Sequence, residues 1–326
     1  MEMFRVIHSR FFVEFDAPDA DLTGRTCLIT GSNQGLGYEA AIHLAKRKTS
    51  TLILGVRSVS KGEAAAAKIH EAVPQFTGKI EVWELDMARF DSVLAFGKRC
   101  ASLPRLDIAI LNAGITNQKY TKTVDGWEVM LQVDVLSTGL LGLLLLPKLS
   151  ESASKKSRGD GTPLKPHLCI VSSDVHYVAA FKYRNTKGSI LDAVNDPKNF
   201  SLDHYNIVKL LEVFLAREIA SLPMASRIIV NAVNPGLSTS QLRRDMAPAI
   251  QTIFGGLAGT TEKGSRNYIH AVLTDTSPGA FINCCRERAP ATLVTNKDGQ
   301  KVQKKFFDES IKLYRSMATD EQLGLA

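Results

Sequence analysis

Residues Thr30-Gly31-Ser32-Asn33-Gln34-Gly35-Leu36-Gly37 constrain this chain more than any other feature, because they close one strand and open one helix. The apolar run Thr26-Cys27-Leu28-Ile29 precedes them, and Tyr38 to Lys48 carries apolar residues at helical spacing. Glycines at such a junction let the backbone turn sharply and let peptide N–H groups approach a pyrophosphate, with the positive end of the helix behind them. The order is G-x-x-x-G-x-G rather than the commoner G-x-G-x-x-G. Gly31, Asn33, Gln34, Gly35, Leu36 and Gly37 are the first candidate cofactor-binding residues.

The rest of the chain repeats the alternation begun there. Strands are predicted at Thr26–Thr30, Thr51–Val56, Lys79–Leu85, Asp107–Leu111, His167–Ser172, Arg227–Val233 and Ala280–Cys284. Helices are predicted at Gly37–Lys48, Ser60–Ala72, Phe90–Ser102, Gly126–Leu149 and Leu202–Ser221. Alternating strands and helices predict an α/β fold, a doubly wound parallel sheet of Rossmann type covered on both faces. No internal repeat or long linker interrupts it. We expect an N-terminal extension over 1–20 and a single domain over 21–326, with substrate-side insertions near 174–200 and 237–259. Ser150–Pro163 reads as an exposed loop, and Lys182–Ser201 as an irregular insertion.

Composition narrows the function classes. With 326 residues, 44% hydrophobic and 22% charged, the chain has the make-up of a globular protein with a sizeable core. A net charge of +7 without a dense Lys/Arg tract argues against nucleic acid, and Lys155-Lys156 and Lys304-Lys305 read as solvated faces. Five cysteines without C-x-x-C spacing argue against a disulfide framework and a zinc site, so no metal is expected. The charges within Met1 to Asp21 leave no signal-peptide stretch, and the run Leu140–Leu146 is too short to span a bilayer. A cytoplasmic protein is the expectation.

The glycine spacing after Thr30, Asn112-Ala113-Gly114 after the fourth strand, and Asn234-Pro235-Gly236 with Thr239 after the sixth together resemble the short-chain dehydrogenase/reductase family, in its retinol-dehydrogenase-like and fungal secondary-metabolite branch. The resemblance covers roughly Asp21 to Cys284. It implies that Asp86 accepts a hydrogen bond from adenine, that Asn112, Ala113 and Gly114 stabilise the sheet beside the adenine ribose, and that Pro235, Gly236 and Thr239 flank the nicotinamide. After the second strand an NAD enzyme places an acid for the ribose 2′-hydroxyl; this chain offers Arg57 and Lys61, with no acid before Glu63. A guanidinium clamps a 2′-phosphate that a carboxylate would repel, so NADP(H) is the expected cofactor.

The family's chemistry needs Y-x-x-x-K, because residues i and i+4 share a helix face and the ammonium favours the ionised phenol. Tyr183…Lys187 and Tyr205…Lys209 both match. The first pair lies nearer the family interval from Ser173 but has no apolar face and ends in Gly188. The second opens the apolar run Ile207 to Leu215 and is preferred. By resemblance, Ser173 is the serine that hydrogen-bonds the substrate oxygen, Tyr205 the general acid or base, and Lys209 the group that lowers the tyrosine pKa and binds the nicotinamide ribose. His176 reads as structural or substrate-lining. Asp134 stands where the family has an asparagine that holds a water, and it should pair with Lys209, offset its help to Tyr205, and slow proton transfer or shift the pH profile alkaline.

These readings predict an NADP-dependent oxidoreductase interconverting a ketone or aldehyde and an alcohol. Leu242, Met246, Ile250, Ile253, Phe254 and Leu257 form an apolar stripe that is either core or the wall of a lipophilic substrate pocket. A tailoring step on a polyketide or terpenoid is what the resemblance implies. Two alternatives stay open: an NADP-binding scaffold without turnover, and a redox-neutral isomerase, dehydratase or cyclase. Relatives often dimerise through the helices containing Asp134 and Tyr205, which makes a homodimer an expectation of the resemblance.

Overall fold

The computed structural model describes residues 15–155, 164–237 and 259–326. Among these residues, one eight-stranded sheet runs in the order β3-β2-β1-β4-β5-β6-β7-β8. Its strands are β1 (Thr26–Thr30), β2 (Thr51–Val56), β3 (Lys79–Glu84), β4 (Ile108–Leu111), β5 (His167–Val171), β6 (Ile229–Val233), β7 (Ala280–Ile282) and β8 (Glu287–Arg288). All neighbours are parallel except β7 and β8. Central strands such as β1, β4 and β5 are buried along their whole length, so they read as continuous apolar runs; edge strand β3 is buried fully only at Trp83.

The helices are α1 (Gly35–Lys46), α2 (Val59–Ala72), α3 (Phe90–Ala101), α4 (Ser137–Ser152), α5 (Ile190–Asn195), α6 (His204–Ala220), α7 (Thr261–Leu273), α8 (Thr292–Thr295) and α9 (Lys297–Tyr314). Successive strand residues point to opposite faces and feed two cores. Leu28 and Ile53 join Phe96, Leu140 and Phe214 on one side, whereas Cys27, Ile29, Leu52 and Leu54 join Leu44, Ile69 and Ile269 on the other. The expected Rossmann-type doubly wound sheet is the observed fold.

Several local expectations change. The helix expected from Gly126 begins at Leu131, because 121–129 fold into a hairpin-like turn around Gly126 (φ +85°), with Thr123 N–H on the Trp127 carbonyl and Val129 N–H on that of Thr121. The Glu128 carboxylate then accepts the Leu131 N–H at 2.8 Å. The helix opens with a π-helical turn, Leu131–Leu136, and continues as α4. Its 22 residues, Leu131–Ser152, are long and apolar enough to cross a membrane, but they are largely buried inside the fold as a core helix.

The insertion at 182–201 is not wholly irregular. Ser189 caps α5 through the Asp192 N–H, and the Glu309 carboxylate of α9 accepts the Ile190 and Leu191 N–H groups, so a remote anion completes a six-residue helix. Residues 15–20 of the expected extension dock on the domain, where the Arg47 guanidinium donates to the Ala17 and Pro18 carbonyls. α7, α8, α9 and β8 lie beyond the elements expected from sequence.

Candidate active site

The order of the strands reverses between β1 and β4, and in open α/β sheets the ligand crevice lies outside the carboxyl ends of the strands at that point. The glycine-rich turn stands there. Gly31 (φ +66°) and Gly35 (φ +62°) adopt left-handed backbone that favours glycine. Gly37 is required for a different reason, because a Cβ on it would sit 2.6 Å from Asn112 Nδ2 and 2.8 Å from the Gly31 carbonyl oxygen. Asn112 ties the two strand ends together: its Nδ2 donates to the Thr30 and Gly31 carbonyls, and its Oδ1 accepts from the Tyr268 hydroxyl. The Ala113 N–H donates to Thr30 Oγ1.

This turn fits a dinucleotide phosphate. No side chain caps α1 at Gln34 and no acid lies in its first turn, so the helix N-terminus is without a side-chain anion of its own. Among the described residues, chain neighbours aside, no atom lies within 4 Å of where a Cβ on Gly35 would sit, and the same holds at Gly236 (φ +75°). Arg57 and Lys61 are exposed at the end of β2 and the start of α2, whose N-terminus Ser58 caps. Asp86 follows β3 and accepts the Ala88 N–H at 3.0 Å, while Pro235 and Gly236 follow β6. Thr239 and the stripe from Leu242 to Leu257 lie outside the described residues.

Ser173 ends the fifth strand's turn and caps a 3₁₀ turn, Asp174–Val178, accepting the Val175 N–H at 3.3 Å. That turn packs on α6. Tyr205 lies in the first turn of α6, partly exposed, and Lys209 lies one turn on with its Nζ 5.5 Å from the Tyr205 ring centre. Tyr183 lies in a turn rather than a helix, so it and Lys187 share no helical face. Burial raises the Tyr183 hydroxyl pKa, and Lys187 is exposed.

His176 is held on both nitrogens, Nδ1 by the Ser173 carbonyl at 2.7 Å and Nε2 by the Ala291 N–H at 3.1 Å. Burial outweighs the Ser173 contact and depresses its pKa to about 4. Kept neutral by burial, the ring ties the turn after β5 to the segment before α8.

Lys209 is almost wholly buried and meets two carboxylates. Asp134 Oδ2, from the π-helical turn, stands 3.1 Å from Nζ, and Glu212 Oε1, three residues along α6, accepts its hydrogen bond at 2.9 Å. Asp134 Oδ1 accepts the Ile115 N–H at 2.9 Å. Burial pulls Lys209 down, but the two carboxylates override it and hold the ammonium well above its ordinary value. Burial raises Asp134 and Glu212 against the pull of Lys209, Glu212 to about 8. A second buried pair flanks Tyr205, where His204 Nε2 meets Glu128 Oε2 at 2.8 Å.

Sequence reading missed Glu212 and the His204–Glu128 pair. The signal for Glu212 was present, since it is an acid three residues from Lys209 inside the apolar run Leu210-Leu211-Glu212-Val213-Phe214.

Residues 25–160 match the family described as short chain dehydrogenase. The chain is 37% identical over 310 residues to the short-chain dehydrogenase/reductase phmF of Phaeosphaeria nodorum, covering 93% of this chain and 90% of that one. It is 40% identical over 317 residues to the short chain dehydrogenase/reductase dmxR8 of a Cryptosporiopsis species, covering 94% and 95%. Among solved structures, a short-chain dehydrogenase from Sphingobium yanoikuyae in complex with NADPH shares the fold with a TM-score of 0.56 at 18% identity, over 75% of this chain and 82% of that one. The chain belongs to the short-chain dehydrogenase/reductase family of oxidoreductases.

Proposed function

We propose that the chain is an NADP-dependent oxidoreductase interconverting a ketone or aldehyde and an alcohol on a lipophilic small molecule, as a tailoring step of secondary metabolism. The observation that carries this reading is the buried Lys209 ammonium one helical turn from the Tyr205 phenol, beside the Ser173 turn. Arg57 and Lys61 at the end of β2, with no acid among them, support the 2′-phosphorylated cofactor. Bound nicotinamide would supply or accept the hydride. Gly31 to Gly37 and the α1 N-terminus would hold its phosphates, and Asn112 to Gly114 with Pro235 and Gly236 would flank it. In reduction, Ser173 Oγ hydrogen-bonds the substrate oxygen as negative charge develops, and Tyr205 Oη donates the proton that completes the alcohol. Lys209 favours the phenolate that remains.

One feature favours a binding-only role: the Asp134 carboxylate at 3.1 Å occupies part of the charge Lys209 would lend to Tyr205. The test is incubation with NADPH and a panel of lipophilic ketones, following cofactor oxidation and alcohol formation together. Equimolar oxidation and product, lost in Y205F by a factor of roughly 10²–10⁴, supports the redox reading. An isomerised, dehydrated or cyclised product without cofactor oxidation makes the chemistry redox-neutral, and NADPH binding without any product favours the scaffold.

A further inference from the structure

We infer that Glu212 is a positioning residue of the proton-transfer machinery: with Asp134 it forms a two-carboxylate cradle that keeps Lys209 charged and holds one exchangeable proton beside Tyr205. The inference rests on reading Tyr205 as the proton donor. Its basis is a charge imbalance in a dry place. One ammonium faces two carboxylates, and the three side chains expose no more than 6%, 0% and 2% of their surfaces.

No second cation relieves the excess among the described residues. The other groups facing the cluster are Tyr205 on α6, Tyr268 on α7, Glu128 before the π-helical turn and the Ser172 hydroxyl after β5. Tyr268 already donates to Asn112, and Glu128 is taken by His204. Two ionised carboxylates would leave a buried negative charge uncompensated, which is strongly unfavourable. Neutralising one acid by a proton removes that penalty while the other still pairs with Lys209. Room for the proton exists at Glu212 Oε2, a buried oxygen without a hydrogen-bond donor, whereas Asp134 Oδ2 faces the Lys209 ammonium at 3.1 Å; the Ser172 hydroxyl also lies against Glu212. The raised pKa values of both acids, Glu212 at about 8, follow from the same burial.

The stored proton has a use. When Tyr205 Oη gives its proton to the substrate oxygen, a phenolate remains. Breaking the carboxyl O–H of the cradle and forming the phenol O–H, relayed by Lys209, restores Tyr205 and leaves two carboxylates. A proton from solvent then refills the cradle. Charge and atoms balance without another reactant.

The test is an infrared pH titration of the cofactor-free chain, reading the C=O band of a protonated carboxyl group, in the wild type, E212Q and D134N. The wild type should show one buried carboxylic acid at about pH 6 that ionises near pH 8. Each variant leaves a one-to-one ion pair with Lys209, so each should lack that band while unfolding cooperatively. A wild type without the band at about pH 6 overturns the inference even if neither variant folds, and so does a band that either variant keeps unchanged. Because no nicotinamide or substrate is present, the outcome is separate from turnover: a cradle that titrates as expected in a chain that reduces no ketone overturns the redox reading alone.

Discussion

Lys209 shows how far single residues could be read from the sequence. Its pairing with Asp134 follows from the position of an acid where the family resemblance places an asparagine, and the two side chains do meet at 3.1 Å. Tyr205 separates from Tyr183 by the apolar face that follows it, which is visible as a pattern of side chains. Glu212 was passed over although its place in the apolar run beside Lys209 marks it, because an acid in a helix is most often a solvated one and burial is settled by tertiary packing. Two predictions belong to this scale. Asp134→Asn removes the second carboxylate that faces Lys209 once the cradle has lost its proton, strengthens its pull on Tyr205, and should move the alkaline part of the turnover profile to lower pH by roughly one unit; an unchanged profile would show that Asp134 does not act through Lys209. Glu212, with a folded-state pKa of about 8 against an ordinary 4.5, binds its proton more tightly in the folded chain. Its contribution to stability is therefore full below pH 4.5 and lost as pH rises through about 8. E212Q, which never ionises, should gain a few kcal/mol relative to the wild type as pH rises from about 4.5 to about 8. Thermal unfolding across that range reads the difference directly, and a constant gap would contradict it.

At the scale of elements, strand positions were the most legible feature, because buried parallel strands are short apolar runs bounded by turn residues. Helix ends were less so: Glu128 and a hairpin around Gly126 delay the helix before α4, and α5 depends on a carboxylate over a hundred residues away. No local pattern records a cap supplied by tertiary structure. The α9 sequence was too polar to stand out, though Val302, Phe306 and Ser310 recur along one buried face at i, i+4 spacing and Asn296 caps it. The junction of β1 and α1 yields a paired prediction. Gly37→Ala places a methyl group against the Asn112 amide and the Gly31 carbonyl, so the turn must open; NADPH binding should weaken at least about a hundredfold, roughly 2.7 kcal/mol. Gly35→Ala meets open space but retains φ +62°, so it should cost only about 1–2 kcal/mol of stability, read from chemical unfolding. Equal effects from the two would mean that close packing is not what Gly37 provides. His176 joins two more elements through a neutral ring. With its pKa depressed to about 4 from 6.5, its contribution is present above pH 6.5 and lost as pH falls through 4, up to about 3 kcal/mol. H176Q should flatten stability over that interval.

Across the whole molecule, the sheet brings to one edge the residues that the sequence scatters over two hundred positions. The glycine turn, Asn112, Ser173 and Pro235 all follow strands that run the same way. The C-terminal region was not legible at this scale. α9 packs across α6, with Phe306 against Phe214, and Tyr314 reaches Gly139 at the start of α4. Leu323 is buried, and Gly324 lies against Leu146 and Met224. The chain's own C-terminal segment thus lies on the two helices through which a homodimer was expected, and we expect sedimentation of the full chain to give a monomer; a dimer would place the interface elsewhere or require that segment to move. The proposed grip of the glycine turn and Arg57 on a 2′-phosphorylated dinucleotide joins the two ends of the ligand crevice. Its most direct test is a binding titration of the purified chain with NADPH and, in parallel, NADH. NADPH should bind tighter by about a hundredfold, roughly 2.7 kcal/mol, with the preference removed in R57A. Equal binding of the two would contradict the Arg57 clamp, and no binding of either would contradict the cofactor assignment itself.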